Sequence, residues 1–114
     1  MSLFDTMNTG ASSMFAGSTN LSVIGDNIAN ISTVGFKSSG ATFADSFPNL
    51  VSGIGGLSQL GTGASLSNVA IDFDQGSLSA SSSPIDVAIL GDGFFQVANG
   101  DELYYSRDGS FHLD

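Results

Sequence analysis

Eleven carboxylates and a single histidine are the side chains of this 114-residue chain that could do acid–base or metal chemistry. Asp72/Asp74 and Asp101/Glu102 form two acid pairs. Paired acids can serve as general acid and base or hold calcium through oxygen. Asp72 and Asp74 flank Phe73 in an alternating stretch, so they are expected on the solvated face of a strand, and Asp101 and Glu102 in a hairpin loop. The Asp-x-Asp lacks the glycine and glutamate spacing of an EF-hand loop. Nothing marks a companion for His112 in a Ser-His-Asp or Cys-His set, and it reads as an exposed or edge-strand residue. The run VSGIGGLSQLGTGASLS (51–67) lacks the Lys-Ser/Thr ending of a phosphate loop and the dinucleotide spacing. With no cysteine there is no disulfide framework and no thiolate metal site. No enzyme, cofactor or metal is expected. Asn20-Leu21-Ser22 and Asn30-Ile31-Ser32 match the glycosylation triplet but lie in a helical segment rather than a surface loop.

Composition narrows the classes further. The chain is 41% apolar and 11% charged, with a net charge of −9 and only Lys37 and Arg107 as cations. Nucleic acid, whose phosphates need clustered cations, is disfavoured, and so is an anionic membrane surface. No run of 18 apolar residues marks a membrane span. No cleaved secretory signal is visible, because no positive charge precedes Lys37. In so acidic a chain, each cation is expected to have a carboxylate partner.

The element that must position anything is N-terminal. Met7, Met14, Leu21 and Ile28 fall seven apart, and Leu3, Gly10, Gly17, Ile24 and Ile31 do so on the companion position. This a/d seam predicts one helix from about residue 3 to 31. Ser2 with Asp5 predicts its N-cap, with an acid in the first turn. The outward positions carry Ser, Thr, Asn, Ala, Phe15 and Val23, with Asp5 and Asp26 as the charges, unlike a water-facing helix. Gly10, Gly17 and Gly25 each cost about 1 kcal/mol against Ala, so the helix is expected to form fully only when packed. It can pack on partner helices, or its seam can fold onto the chain's own sheet. Gly35 lets the chain turn afterwards. Asn27 and Asn30 are placed for interhelical contact or for local capping.

Asn20-Leu21, Ile24, Asn27-Ile28-Ala29-Asn30, Thr33 and Gly35-Phe36-Lys37 together resemble the N-terminal signature of the bacterial flagellar rod and hook protein family. DFDQGSLSASSSPIDVAILGDGFFQV and YYSRDGSFHLD are similar to that family's β portion, so the resemblance spans the chain. MSLFDTMNTGAS, GATFADSF and LGTGASLSNVAIDFDQGSLS look most like the hook protein. The resemblance implies a helix in the inner tube of an axial structure, disordered until assembly and paired with a C-terminal helix. It also implies export through the flagellar type III apparatus without cleavage. The outer β domains and C-terminal helix of the family are not in this sequence, and the β module reads as cut off at Asp114.

The rest divides in two. Residues 38–68 read as an extended Gly/Ser-rich linker, with Phe43 and Phe47 as anchors and isolated Ile54, Leu57, Leu60 and Leu66. It is either a mobile loop or a segment ordered against neighbours. Residues 69–114 switch to period two: Val69/Ile71/Phe73, Ile85/Val87/Ile89, Phe94–Val97, Leu103–Tyr105 and Phe111/Leu113 predict an antiparallel β module of five or six strands. Asn99-Gly100, both tolerant of positive φ, predicts a hairpin. The expected class is α+β, in segments 1–37, 38–68 and 69–114.

Two functions follow. In one, the chain is a structural subunit of the flagellar hook, or alternatively the rod. It polymerises through its helix with other copies and other axial proteins into a head-to-tail helical array that couples motor rotation to the filament. It would reside in the hook or basal body, outside the cell. In the other, it is a small secreted acidic β module binding calcium or a protein, with the helix as its core. The first predicts a largely unfolded N-terminal third in the free monomer. The second predicts a folded monomer whose melting point rises with calcium.

Overall fold

A computed structural model describes residues 2–53 and 56–113. Helix α1 runs Leu3–Ala29, and the strands are β1 Ser39–Asp45, β2 Asn49–Gly53, β3 Gly56–Leu60, β4 Ala64–Ile71, β5 Phe95–Asn99 and β6 Glu102–Ser106. Ile54, among the aliphatics noted in the sequence, and Asp114 lie outside the described residues.

The start of α1 is a capping box. Asp5 N donates to Ser2 Oγ at 3.2 Å, and Ser2 N donates to Asp5 Oδ2 at 2.9 Å, so two backbone donors are satisfied reciprocally. Hydroxyls along the helix donate to carbonyls one turn back: Thr9 to Asp5 O at 2.9 Å, Ser13 to Thr9 O at 3.0 Å and Thr19 to Phe15 O at 3.0 Å. The helix ends two residues short of the seam, leaving Ile31 in the turn that follows. Asn30 caps it, with its backbone N–H and its Nδ2 on Asp26 O at 3.1 and 2.9 Å. Gly35 then takes φ +74°, the left-handed conformation expected of a residue that turns the chain.

The expected linker is replaced by strands. β1 pairs antiparallel with β4, Ser39 opposite Ile71 through Asp45 opposite Ala64, with a register shift between Thr42 and Phe43. Ser46 N to Gly63 O at 2.9 Å and Asp72 N to Ser38 O at 2.8 Å carry the pairing one step past each end. β2 and β3 pair within the excursion between them. The Gly/Ser content therefore belongs to a long two-stranded ribbon, and β4 crosses the expected boundary at 68/69. Backbone pairing, which needs no apolar side chain, explains why composition read as linker.

The downstream module is thinner than its alternation implied. Only β5 and β6 pair there, Phe95 opposite Ser106 through Asn99 opposite Glu102. The hairpin loop is Gly100-Asp101, with Gly100 at φ +65° and Asn99 already the last residue of β5. Positive φ at the first central position alone is the pattern of a II′ turn, not the I′ turn that positive φ at both Asn99 and Gly100 would give. Residues 85–89 and 111–113 are not strands. Asp72 and Asp74 lie past the end of β4, and Asp74 N donates to Asp72 Oδ1 at 2.9 Å in a local turn.

The molecule is long and open. Its extents are 75 × 27 × 25 Å and its radius of gyration 22.6 Å, against about 13 Å for a compact chain of this length. It exposes 8948 Å², where a folded monomer of its mass would expose about 5,800 Å². No apolar side chain among the described residues is buried apart from small or half-buried contributions, and Gly109 is the one residue of the described set in the buried class.

Candidate functional site

α1 lies along the β1–β4 ribbon, touching both strands. The side that touches is a stripe of small and polar residues. Thr9, Ser12, Ala16, Thr19, Val23, Asn27 and Asn30 are half-buried, spaced three and four apart, whereas the helical positions between them are exposed. Two close approaches fix the stripe. A Cβ added to Gly63 (φ +108°) would meet Ser12 Oγ at 2.0 Å, so helix and ribbon are nearly in backbone contact there. Nearer the other end, Asn27 makes a two-way bond with one residue: its Nδ2 donates to Ser39 O at 2.7 Å and its Oδ1 accepts from Ser39 N at 2.9 Å.

The heptad seam lies roughly 150° around the helix from that stripe, at about 3.6 residues per turn. It is turned away from the chain. Leu3, Met7, Met14, Leu21 and Ile28 are all more than three-fifths exposed, Ile24 is 43% exposed, and Ile31 just past the helix is 83% exposed. Phe4 and Phe15 widen the same apolar surface, at 74% and 78% exposed. The idea of the seam as the chain's own core, which the calcium-module reading required, is corrected here: small side chains let the ribbon approach closely, and the large apolar ones are left outside.

The signature residues gather around the helix exit. Asn20 and Ala29 are exposed. Thr33 Oγ1 donates to Asn30 Oδ1 at 3.1 Å, and Phe36 N donates to Thr33 O at 3.3 Å. Lys37 Nζ reaches Asp74 O at 2.7 Å and Phe73 O at 3.5 Å. Arg107 donates to Gly91 O, Gly93 O and Gln75 Oε1. The expected carboxylate partners are thus replaced by carbonyl and amide oxygens. Backbone segments that cross without side chains between them leave carbonyls pointing at whatever donor is near.

The side chains first considered for chemistry are not brought together. His112 is exposed outside any strand. Glu102 accepts from the Tyr104 hydroxyl, which raises the Tyr104 pKa. Asp108 is held below its ordinary range by the Ser110 hydroxyl and N–H, and Asp5 by the Ser2 N–H and hydroxyl. No grouping of three or more His, Cys, Asp or Glu suited to a metal occurs among the described residues. No helix among them is long and apolar enough to cross a membrane.

Sequence reasoning missed the inner stripe, Ser39, Gln75, Arg107 and Gly109. The stripe carried a signal, small residues at spacings of three and four. Arg107 and Gln75 carried none, since carbonyl partners leave no mark in a sequence.

Residues 7–37 match the flagella basal body rod protein family, and residues 88–114 the D1 domain of flagellar hook proteins FlgE/F/G. The chain is 37% identical to the flagellar basal-body rod protein FlgG of Bacillus subtilis, over 96% of this chain and 45% of that protein. It is 40% identical to the flagellar hook protein FlgE of Escherichia coli, over 90% of this chain and 24% of that protein. With the FlgE of Brucella abortus it is also 40% identical, over all of this chain and 28% of that protein. It therefore spans between about a quarter and just under half the length of these relatives.

Proposed function

We propose that this chain, which belongs to the flagellar rod and hook axial protein family, is a subunit of the flagellar hook and polymerises through the outer face of α1. The observation that carries this reading is that face: seven large apolar residues at seam spacing, turned away from the chain's own ribbon. Contiguous exposed apolar surface of this kind marks an interaction site. Covering each such side chain is worth about 1.5–3 kcal/mol before the costs of association. The occupants are the helices of neighbouring copies and of other axial proteins, in a head-to-tail array that does not close. The role is mechanical, passing motor rotation to the filament. Export proceeds through the flagellar type III apparatus without a cleaved signal.

The hook is preferred because MSLFDTMNTGAS, GATFADSF and LGTGASLSNVAIDFDQGSLS resemble hook proteins most. The rod is the second reading, favoured by the likeness to FlgG along 96% of the chain. Immunogold labelling of flagella decides between them: label on the curved segment outside the envelope supports the hook, and label confined within it supports the rod. The polymerisation claim is tested by Leu21→Asp with Ile24→Asp. Incorporation into flagella is expected to be lost while β5–β6 stays folded, and normal motility in that double variant contradicts the claim.

A further inference from the structure

The cations of this acidic chain have a common destination. Lys37 holds the 73–74 backbone. Arg107 fans its guanidinium across Gly91 O, Gly93 O and Gln75 Oε1 and lies 6.0 Å from the centre of the Phe94 ring. Gln75 Oε1 also accepts from Gly91 N at 3.2 Å, closing a small web. These segments meet where two glycines allow backbones to touch. A Cβ on Gly35 would stand 2.7 Å from Asp108 N and 2.8 Å from Arg107 C. One on Gly109 would stand 1.8 Å from Val87 O, while Val87 N donates to Gly109 O at 3.1 Å. The helix exit, the end of the ribbon, the 87–93 segment and the end of β6 thus converge on one knot.

We infer that this knot is a rigid elbow, with Gly35, Gly109 and Arg107 as positioning residues that fix the direction of α1 relative to the β5–β6 hairpin. In a chain without a buried apolar core, no packed interface is available to set that angle. Backbone contact and a guanidinium fan set it instead. Hinges need residues free to absorb φ/ψ change, whereas Gly35 is pinned at φ +74° against a second backbone. Arginine suits the role because its planar fork reaches several oxygens at once, which a lysine ammonium on its flexible stem does not do with the same geometry. The elbow is a property of the single chain and is independent of the polymer it enters. It determines how the apolar face of α1 is presented, and any force on the helix passes through it.

The chain has no cysteine, so spin labels can be placed cleanly at Ser18→Cys on α1 and Asp101→Cys in the β5–β6 turn, and their separation measured by pulsed dipolar spectroscopy in the dilute full chain. A single narrow distribution is expected, turning broad in Arg107→Lys and in Gly35→Ala while circular dichroism keeps the helical signal. A broad distribution in the parent, or an Arg107→Lys chain as narrow as the parent, overturns the inference. If Gly35→Ala does not fold, Arg107→Lys alone decides.

Discussion

The two faces of α1 show how one helix can serve two kinds of contact. The inner face is small and polar: Ser12 lets the ribbon come close at Gly63, and Asn27 locks to Ser39. The outer face is large and apolar and touches nothing in its own chain. In a self-sufficient amphipathic helix the assignment would be reversed, with the apolar stripe inward. Steric fit and hydrogen bonding therefore attach the helix to its own body, and the hydrophobic effect is left for neighbours. The glycines of the seam, Gly10 and Gly17, have open space beside them in the single chain, so any use of their missing side chains also lies outside it.

The contrast can be broken most severely from outside. Leu21→Asp with Ile24→Asp is expected to abolish assembly yet to change monomer stability by no more than about 0.5 kcal/mol, as for exposed substitutions generally. Chemical denaturation of the purified chain beside a motility assay checks both halves. From inside, Ser12→Leu is expected to do the reverse. Overpacking at the Gly63 contact should cost the monomer about 1–3 kcal/mol and raise hydrogen exchange along β4, while Met14→Leu on the outer face leaves both unchanged.

Asn27→Ala sharpens the comparison at one residue. It removes both bonds to Ser39, each of a kind worth about 1 kcal/mol net, and leaves the seam intact. The last turns of α1 should exchange amide protons faster, and Asn27→Asp, which can still accept from Ser39 N, should recover part of the protection. The smallest effect is acid sensitivity at the helix start. The Asp5 pKa is lowered by its bonds to Ser2. Its contribution is therefore present above the ordinary carboxylate range and lost as pH falls through the lower folded value. Asp108, lowered by Ser110, follows the same sign. Fraying of the first turn below about pH 4, absent in Ser2→Ala, would show in residue-resolved exchange.

What was readable in the sequence was local. Ser2 and Asp5 are three residues apart, Gly35 follows its helix directly, and the Gly100 turn joins adjacent strands, so each feature carries its own signature. The ribbon was not readable, because Ser39 pairs with Ile71 across the whole excursion and its register is held by backbone groups common to every residue. Alternation at Ile85, Val87 and Ile89 was real but misleading: that segment crosses Gly109, where a second backbone leaves no room for a side chain. The seam was seen as an a/d repeat, yet periodicity alone could not say which face the body would take. That was decided by the small residues at Thr9, Ser12, Ala16, Thr19 and Val23.

The central claim, that the outer face of α1 meets other subunits while the inner face meets its own ribbon, is tested most directly by single cysteines in a chain that has none. Leu21→Cys and Val23→Cys would each be expressed in flagellated cells and oxidised in the assembled structure. Disulfide-linked or bifunctionally cross-linked species between subunits are expected from Leu21→Cys and not from Val23→Cys. Cross-links from Val23→Cys with none from Leu21→Cys would contradict the account.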